Sequence, residues 1–522
     1  MSEFRRQASV LFVLGSAIFL GTTSVNLQEL FGLYGGTQGN AEGFFGRSIT
    51  GVGDQNGDGY DDILVANNLE KKAYLYLGGS PMDTLSARVY QRGETGFASE
   101  VANVGDVNQD GNTEFAILSG PSIYIYRGAS LDTVPMLMLP GTYAHVAGAG
   151  DVNGDGFSDL LVSNPVWTTP RGMARIFLGG NPMDSIPDWI VTGDSVQQWI
   201  GCSVSGNADL NHDGFKDFAV SGFRITGGDT TGQIKIYFGG THVDTMPRLT
   251  LDGKTLPGLG SSVWMLADVN GDRYDELAAP SFADTGAFLF YGRDTLKSAP
   301  DVILQGSGFS APMNLSVASV GDVNGDGYND VLTGNYSAVN GLGEVQLYLG
   351  GPHITGKADF ITKGYYGPWE GAGQEVAWCG DVNHDGFNDL MFSCYAPLFL
   401  TQNGKVEIFA GDHTPVVAVN DRESSIESPV QVGIESNYPN PFNSSTQIRY
   451  ALNQAGNVRL DVFDLLGRAV STISDHFQEA GYHSVTWNAG SLASGIYYIR
   501  LTVIDESGRK TSTKAVKCVL AK

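Results

Sequence analysis

The chain has 522 residues and a formal net charge of −25, with 56 acidic against 31 basic side chains, and it contains 70 glycines. Acidity on this scale repels nucleic acid and excludes that class of partner. Abundant glycine and a charged fraction of 17% describe many short strands joined by tight turns, and the length allows two or three domains.

Residues 1–24 read as a signal peptide. Arg5 and Arg6 supply its positive end, Val10 to Leu20 is an apolar run, and small residues from Gly21 lead to a cut near Ser24. The apolar run is short of the roughly 20 residues that span a bilayer. Nothing later is long and apolar enough to cross one, so no transmembrane segment is expected in the mature chain.

From Asp54 onward the pattern D-x-N-x-D-G-x-x-[DE] recurs seven times, with starts 52, 45, 58, 59, 54 and 59 residues apart. A short loop at a nearly fixed period predicts a repeat architecture. Oxygen donors at positions 1, 3, 5, 7 and 9 of such a loop can turn toward one ion. In the first copy these are the side chains of Asp54, Asn56 and Asp58, the carbonyl of Tyr60 and the carboxylate of Asp62. The equivalent sets are Asp106, Asn108, Asp110, Asn112 and Glu114; Asp151, Asn153, Asp155, Phe157 and Asp159; and Asp209, Asn211, Asp213, Phe215 and Asp217. The last three are Asp268, Asn270, Asp272, Tyr274 and Glu276; Asp322, Asn324, Asp326, Tyr328 and Asp330; and Asp381, Asn383, Asp385, Phe387 and Asp389. All donors are oxygen, three per loop are carboxylates, and no His or Cys occupies a ligand position. That chemistry suits calcium and suits zinc or copper poorly. Up to seven structural Ca²⁺ would return 14 positive charges against the −25. Apolar residues, and Thr333 in the sixth loop, stand where a helix–loop–helix calcium hand would place its bidentate Glu, so strands flank each loop.

Glycine at position 6 permits a positive φ. Arg273 replaces it in the fifth loop, a strain of about 1 kcal/mol, and Glu114 and Glu276 lengthen position 9 by a methylene. On these grounds the fifth site is expected to be the weakest.

Each unit carries a strand before the loop (Phe45 to Gly53 in the first), one after it (Ile63 to Ala66), a third ending in a glycine turn (AYLYLGG, ARIFLGG, VQLYLGG), and an outer fourth (LTLDG at Leu249). Four antiparallel strands repeated seven times describe a seven-bladed β-propeller. The seventh unit stops after its third strand at Gly411, and the missing outer strand is supplied by VNLQELFGLYGG from Val25, which closes the ring. Of the four cysteines, Cys379 and Cys394 bracket the seventh loop and either bond across a hairpin or serve as small buried residues.

Residues 413–436 carry no loop motif and read as a linker rich in Ser, Pro and Val. Beyond them, QIRYAL, VRLDVFDLLG, YHSVTW and IYYIRLTVID alternate as short strands of a small β-sandwich. The fold class is therefore all-β, a propeller with calcium loops followed by a C-terminal sandwich.

Phe45-Gly46 and the seven loops make residues 25–412 resemble the FG-GAP repeat family, the propeller of the integrin α-subunit head. The resemblance implies structural calcium between the first and second strands of each blade, and partner binding on the opposite face. YPNPFN, Leu466-Gly467-Arg468, Gly481-Tyr482-His483, Ser494-Gly495-Ile496-Tyr497 and Lys517-Cys518-Val519-Leu520 make residues 437–522 resemble the type A C-terminal sorting domain of the type IX secretion system. This implies contact with the secretion machinery, passage across the outer membrane, and release or attachment at the cell surface.

No H-E-x-x-H, G-x-S-x-G or phosphate loop is present. His212 and His384 fall at position 4 of their loops, where a surface role is expected. Trp167, Arg171, Arg224, Tyr336 and Tyr395 fall on the longer second-to-third connections, and Trp199, Tyr365, Tyr366 and Trp369 on fourth-to-first connections. These either bind a ligand or pack between blades. The expectation is a secreted or surface, noncatalytic calcium-binding protein for an extracellular protein or carbohydrate ligand; the alternative is a secreted propeller enzyme acting on polysaccharide, a lyase or hydrolase.

Overall fold

The computed structural model describes residues 28–34, 44–412 apart from 83, 166–170, 194–197, 227–228, 282–285, 307–314, 365–370 and 395–403, and 432–520 apart from 439–444, 453–455, 466, 479–480, 491 and 505–509. Residues 1–24, read from sequence as a signal peptide, and the greater part of 413–436, read as a linker, lie outside these residues. The chain divides into two compact units, residues 1–419 and 420–522.

In the first unit the described residues form seven four-stranded antiparallel sheets. The first is built from Phe45–Gly53, Asp62–Asn67, Lys72–Tyr76 and Arg88–Gln91, paired in sequence order. The second strand of a sheet is buried end to end, as in Asp62–Asn67, because neighbouring sheets cover both of its faces. The outer strand alternates, as Trp189–Thr192 does with Trp189 and Val191 in and Ile190 and Thr192 out.

Each sheet meets the next through its own apolar core. Leu64, Ala66, Leu75 and Tyr90 of the first sheet pack against Val101, Phe115, Tyr124 and Tyr126 of the second. Sheets six and seven meet through Leu332, Val345, Leu347, Leu390, Phe392 and Phe409. Ile49, Ile63, Val65 and Tyr76 of the first sheet pack against Met391, Val406 and Ile408 of the seventh, so the series closes into a ring. The N-terminal strand Gln28–Tyr34 completes the seventh sheet, antiparallel to Lys405–Ala410 with Gln28 opposite Ala410 and Tyr34 opposite Lys405. Leu33 from it is 2% exposed in the closing core. This is the arrangement the sequence predicts, and it removes the open edge that Lys405–Ala410 would otherwise present.

Several innermost strands are also stapled by side chains six residues before a loop. The Ser48 hydroxyl accepts from Val101 N–H of the second sheet (3.2 Å), Glu100 accepts from Val146 N–H of the third (3.0 Å), and Ser316 accepts from Val376 N–H of the seventh (3.2 Å). The FG dipeptide has a local cause. Gly46 holds φ +81° where the strand pairing slips between Phe45 and Ile49, and a Cβ there would lie 3.0 Å from Ser393. Cys379 and Cys394 are both free thiols. Cys379 packs in the core shared with the first sheet and Cys394 in the core shared with the sixth, which puts them on opposite faces of their sheet. The hairpin bond the sequence left open therefore does not form.

The second unit is a two-layer sandwich. Gly433–Tyr438, Ser445–Leu452 and Gly481–Asn488 form one sheet; Ala469–Gln478, Gly456–Phe463, Gly495–Ile504 and Lys510–Leu520, in that spatial order, form the other. Ile448, Tyr450, Leu452 and Trp487 face Val458, Leu460, Val462, Ile499, Leu501 and Cys518 across the core.

Candidate metal centres

The seven loops are built alike. The position 1 carboxylate folds the turn: Asp54 accepts from Gly57 N–H at 2.7 Å through Oδ1 and from Gly59 N–H at 2.7 Å through Oδ2. Asp151 does the same with Gly154 (2.6 Å) and Gly156 (2.8 Å). Position 6 needs a positive φ for its N–H to reach that carboxylate, and Gly59 sits at +90°. Arg273 adopts +77° and still donates to Asp268 at 2.8 Å, so the fifth loop keeps its shape with a side chain in the strained region.

The position 9 carboxylate is the most buried part of each loop. Asp62, Glu114, Asp159, Asp217, Glu276, Asp330 and Asp389 are all 0% exposed. Asp62 accepts from Gln55 N–H (2.7 Å) at the start of the loop and from Gly78 N–H (2.8 Å) after the third strand. Asp159, Asp217, Asp330 and Asp389 repeat both bonds with their own loops and turns. Burial pushes these groups up, to about 7 for Asp62, Glu114, Asp159, Asp217 and Asp330, about 8 for Asp389 and about 9 for Glu276, and the position 1 and 5 carboxylates push the same way.

Glu in place of Asp changes the loop beside it. Where position 9 is Asp, the position 3 amide donates to the position 5 carboxylate, as Asn56 to Asp58 (2.8 Å) and Asn153 to Asp155 (2.8 Å). In the two Glu loops that amide turns to the Glu instead, Asn108 to Glu114 (2.7 Å) and Asn270 to Glu276 (3.2 Å). Two consequences fit a hard cation. Asn108 Oδ1 is buried with no hydrogen-bond partner, an acceptor in want of a positive charge. Asp268, Asp272 and Glu276 bring carboxylate oxygens within 4.8 Å of one another, the span of two Ca–O bonds of ~2.4 Å. Like charges so close are costly without a cation between them. Asp54, Asp58 and the other position 1, 3, 5 and 7 groups would complete their sites.

The loops also hold the blades to each other, which the sequence did not reveal. Position 8 N–H of one loop donates to position 1 C=O of the preceding loop: Ser158 to Asp106 (2.9 Å), Lys216 to Asp151 (3.0 Å), Asp275 to Asp209 (3.0 Å), Asn388 to Asp322 (3.2 Å) and, across the ring closure, Asp61 to Asp381 (3.2 Å). Gln55 to Thr113 and Asn329 to Asp268 make the two remaining links through side-chain amides. Position 4 takes part as well. His384 packs on Tyr60 and His212 on Tyr274, with ring centroids 5.4 and 5.6 Å apart, so each His touches position 7 of the next loop. Both hold positive φ, a second left-handed position that spacing alone did not flag.

Of the rim residues, Trp167, Tyr365, Tyr366, Trp369 and Tyr395 lie outside the described residues. Trp199 belongs to the inner strand Gln198–Ala208, opposite Phe223, and not to a connection. Arg224 belongs to the long strand Asp217–Thr226 and lies 3.8 Å from Asp252, because the second and third strands of the fourth sheet extend as a hairpin. Arg171 is exposed and Tyr336 half-buried.

The FG-GAP repeat family matches residues 143–177 and 314–348, the third and sixth loop units, and the secretion system C-terminal sorting domain family matches residues 436–517. Integrin alpha-5 of Xenopus laevis is 28% identical over 319 residues, 53% of this chain and 29% of that protein. Integrin alpha-4 of Xenopus laevis is 30% identical over 157 residues (28% and 15%), and integrin alpha-IIb of Mus musculus 25% over 234 residues (41% and 23%). The chain spans less than a third of the length of these relatives. Among the described residues, no helix is long and apolar enough to cross a membrane. The chain thus carries FG-GAP repeats in two places, is similar over part of its length to integrin α-chains, and has a C-terminal sorting domain that marks it for export to the cell surface or the medium.

Proposed function

We propose that this is a noncatalytic binding or adhesion protein, whose propeller is braced by calcium and which is exported by the type IX secretion system to engage an extracellular protein or carbohydrate. One observation carries the reading: the carboxylate loops are built into the seams between blades, each hydrogen-bonded to the next. Carboxylates so placed serve the ring. A cation there would offset charge on the buried position 9 group, the half-buried position 1 Asp and the exposed position 5 Asp of its loop, and would lock adjacent blades together. Ligand binding then falls to the opposite edge, where the second-to-third and fourth-to-first connections lie.

The ions would be held by the position 1, 3, 5 and 9 side chains and the position 7 carbonyl of all seven loops, from Asp54 to Asp389. Residues 25–412 would form the binding domain and 437–522 the export signal, joined by 413–436, with residues 1–24 removed on secretion. The test is elemental analysis of the secreted protein, thermal melting with and without chelator, and binding to glycan and extracellular-protein arrays. Calcium near seven per chain, a melt that drops on chelation, and saturable binding without turnover support the reading. A chain that carries no calcium and melts unchanged in chelator refutes it.

A further inference from the structure

The sorting domain has a sheet face that its own core does not use. In Gly456–Phe463 and Gly495–Ile504 the side chains alternate, and Val458, Leu460, Val462, Tyr497, Ile499 and Leu501 turn into the sandwich. The opposite face carries Arg459, Asp461, Phe463, Tyr498 and Arg500. Phe463 stands directly across from Tyr498, and Tyr498 from Lys517 on the next strand. Arg500 lies opposite Asp461 and stacks over Phe463 at 4.2 Å from the ring centre.

This face is tied together by side-chain contacts and partly unsatisfied. Asp461 is only 5% exposed because Arg459 Nε reaches it at 3.1 Å, the Thr472 hydroxyl donates at 2.8 Å, and Arg500 closes over it at 3.6 Å. Arg500 Nε is buried and has no hydrogen-bond partner. Tyr498 is 40% exposed. An arginine stacked on a ring and paired with a carboxylate loses less entropy on association, and tyrosine and arginine are enriched among the residues that dominate the energetics of protein interfaces.

Charge selects the partner. From Asn437 to the end the chain has nine Lys and Arg against six Asp and Glu, whereas the rest has 22 against 50. The sorting domain is the cationic part of an acidic protein, and this face carries Arg459, Arg500 and Lys517. A complementary surface is acidic and offers an apolar seat for the two rings.

We propose that the outer face of this sheet, centred on Phe463, Tyr498 and Arg500 and flanked by Arg459 and Lys517, docks the sorting domain onto an acidic patch of a protein in the export machinery. This rests on the reading of residues 437–522 as the export signal. The test expresses the full chain in a bacterium with type IX secretion and measures the exported against the cell-retained fraction by immunoblot. Tyr498→Ser and Arg500→Glu are expected to lower export about tenfold or more, the loss of one interface anchor, with unchanged melting of the purified Tyr498→Ser chain. Arg500→Lys restores export in part, and Phe477→Ser, which removes a 46% exposed ring on the edge strand Ala469–Gln478, exports normally. Tyr498 anchors the test should Arg500→Glu unfold the domain. Wild-type export of Tyr498→Ser, or an equal loss in Phe477→Ser, overturns the proposal. Normal export of a chain lacking residues 437–522 overturns instead the reading on which it rests.

Discussion

Replacing Asp330 by Ala probes what the position 9 carboxylate does. Its Oδ2 accepts from Val323 N–H at 2.9 Å and its Oδ1 from Gly350 N–H at 2.7 Å, in a site with 0% exposure. Alanine leaves both N–H groups buried and unpaired. Hydrogen bonds to a charged group contribute ~1.5–3 kcal/mol each. Removing a buried carboxylate whose pKa is pushed up to about 7 returns part of that, because its ionised form is itself costly. The balance is a loss of about 2–4 kcal/mol in chelator. In saturating calcium the variant also forgoes one site, about 2.7 kcal/mol at a hundredfold excess over Kd. Asp330→Asn should do little better, because its amide nitrogen would face one of the two N–H groups. Urea denaturation in chelator and in calcium measures both terms. A variant that unfolds at the wild-type urea midpoint in chelator refutes the structural role, and one that gains as much from calcium as wild type refutes the ligand role.

The remaining expectations follow from the same loops and from the closure. The position 9 acids bind protons more tightly folded than unfolded, so between about pH 4 and pH 7 the folded chain holds more protons and the stability of the metal-free protein falls as pH rises. Calcium held by the proposed sites would compete with those protons, so its stabilisation should be large at pH 8 and small at pH 5; melting scans in chelator that rise steadily from pH 5 to pH 8 contradict this. Deleting residues 25–36 removes the outer strand of the seventh sheet together with the buried Leu33, and calorimetry should show a broader, lower transition. Glu276→Asp withdraws one of the three converging oxygens of the fifth loop, and terbium emission sensitised by Tyr274 should then need several-fold more metal; an unchanged titration denies Glu276 a place at the ion. Arg273→Gly relieves about 1 kcal/mol of left-handed strain and should raise the melting temperature, unless the greater freedom of glycine in the unfolded chain cancels it.

Repeat period, strand order and closure were legible because each is written several times over. Seven loops at similar spacing fix the blade, and an unmatched seventh unit with a spare strand at Val25 fixes the closure. What could not be read is whatever depends on a neighbour far away in sequence. The link from Asp61 to Asp381 spans 320 residues, and nothing local to either residue announces it. His212 and His384 are exposed, as their place in the loop indicates, but the tyrosine each one meets is supplied only by the next blade. Trp199 and Arg224 fall within strands because the first three strands of the fourth sheet run longer than their counterparts among the described residues, and the pattern of the other units sets their boundaries too narrowly.

The fifth loop shows how the two kinds of information combine. From sequence, Arg273 at the glycine position and the longer Glu276 at position 9 together predict a weak site. In the structure the same loop brings three carboxylate oxygens within the span of one ion, because Glu276 reaches a methylene further and takes the Asn270 amide away from Asp272. Strain at Arg273 weakens calcium binding only so far as the cation-free loop can relax it, whereas the convergence of the carboxylates acts on binding directly. The Arg273 N–H is bonded to Asp268, the residue that shapes the turn, so little relaxation is open to it. The balance therefore favours the fifth site filling no later than the others, and titration of Arg273→Gly against Glu276→Asp separates the two terms: the first should move stability, the second affinity.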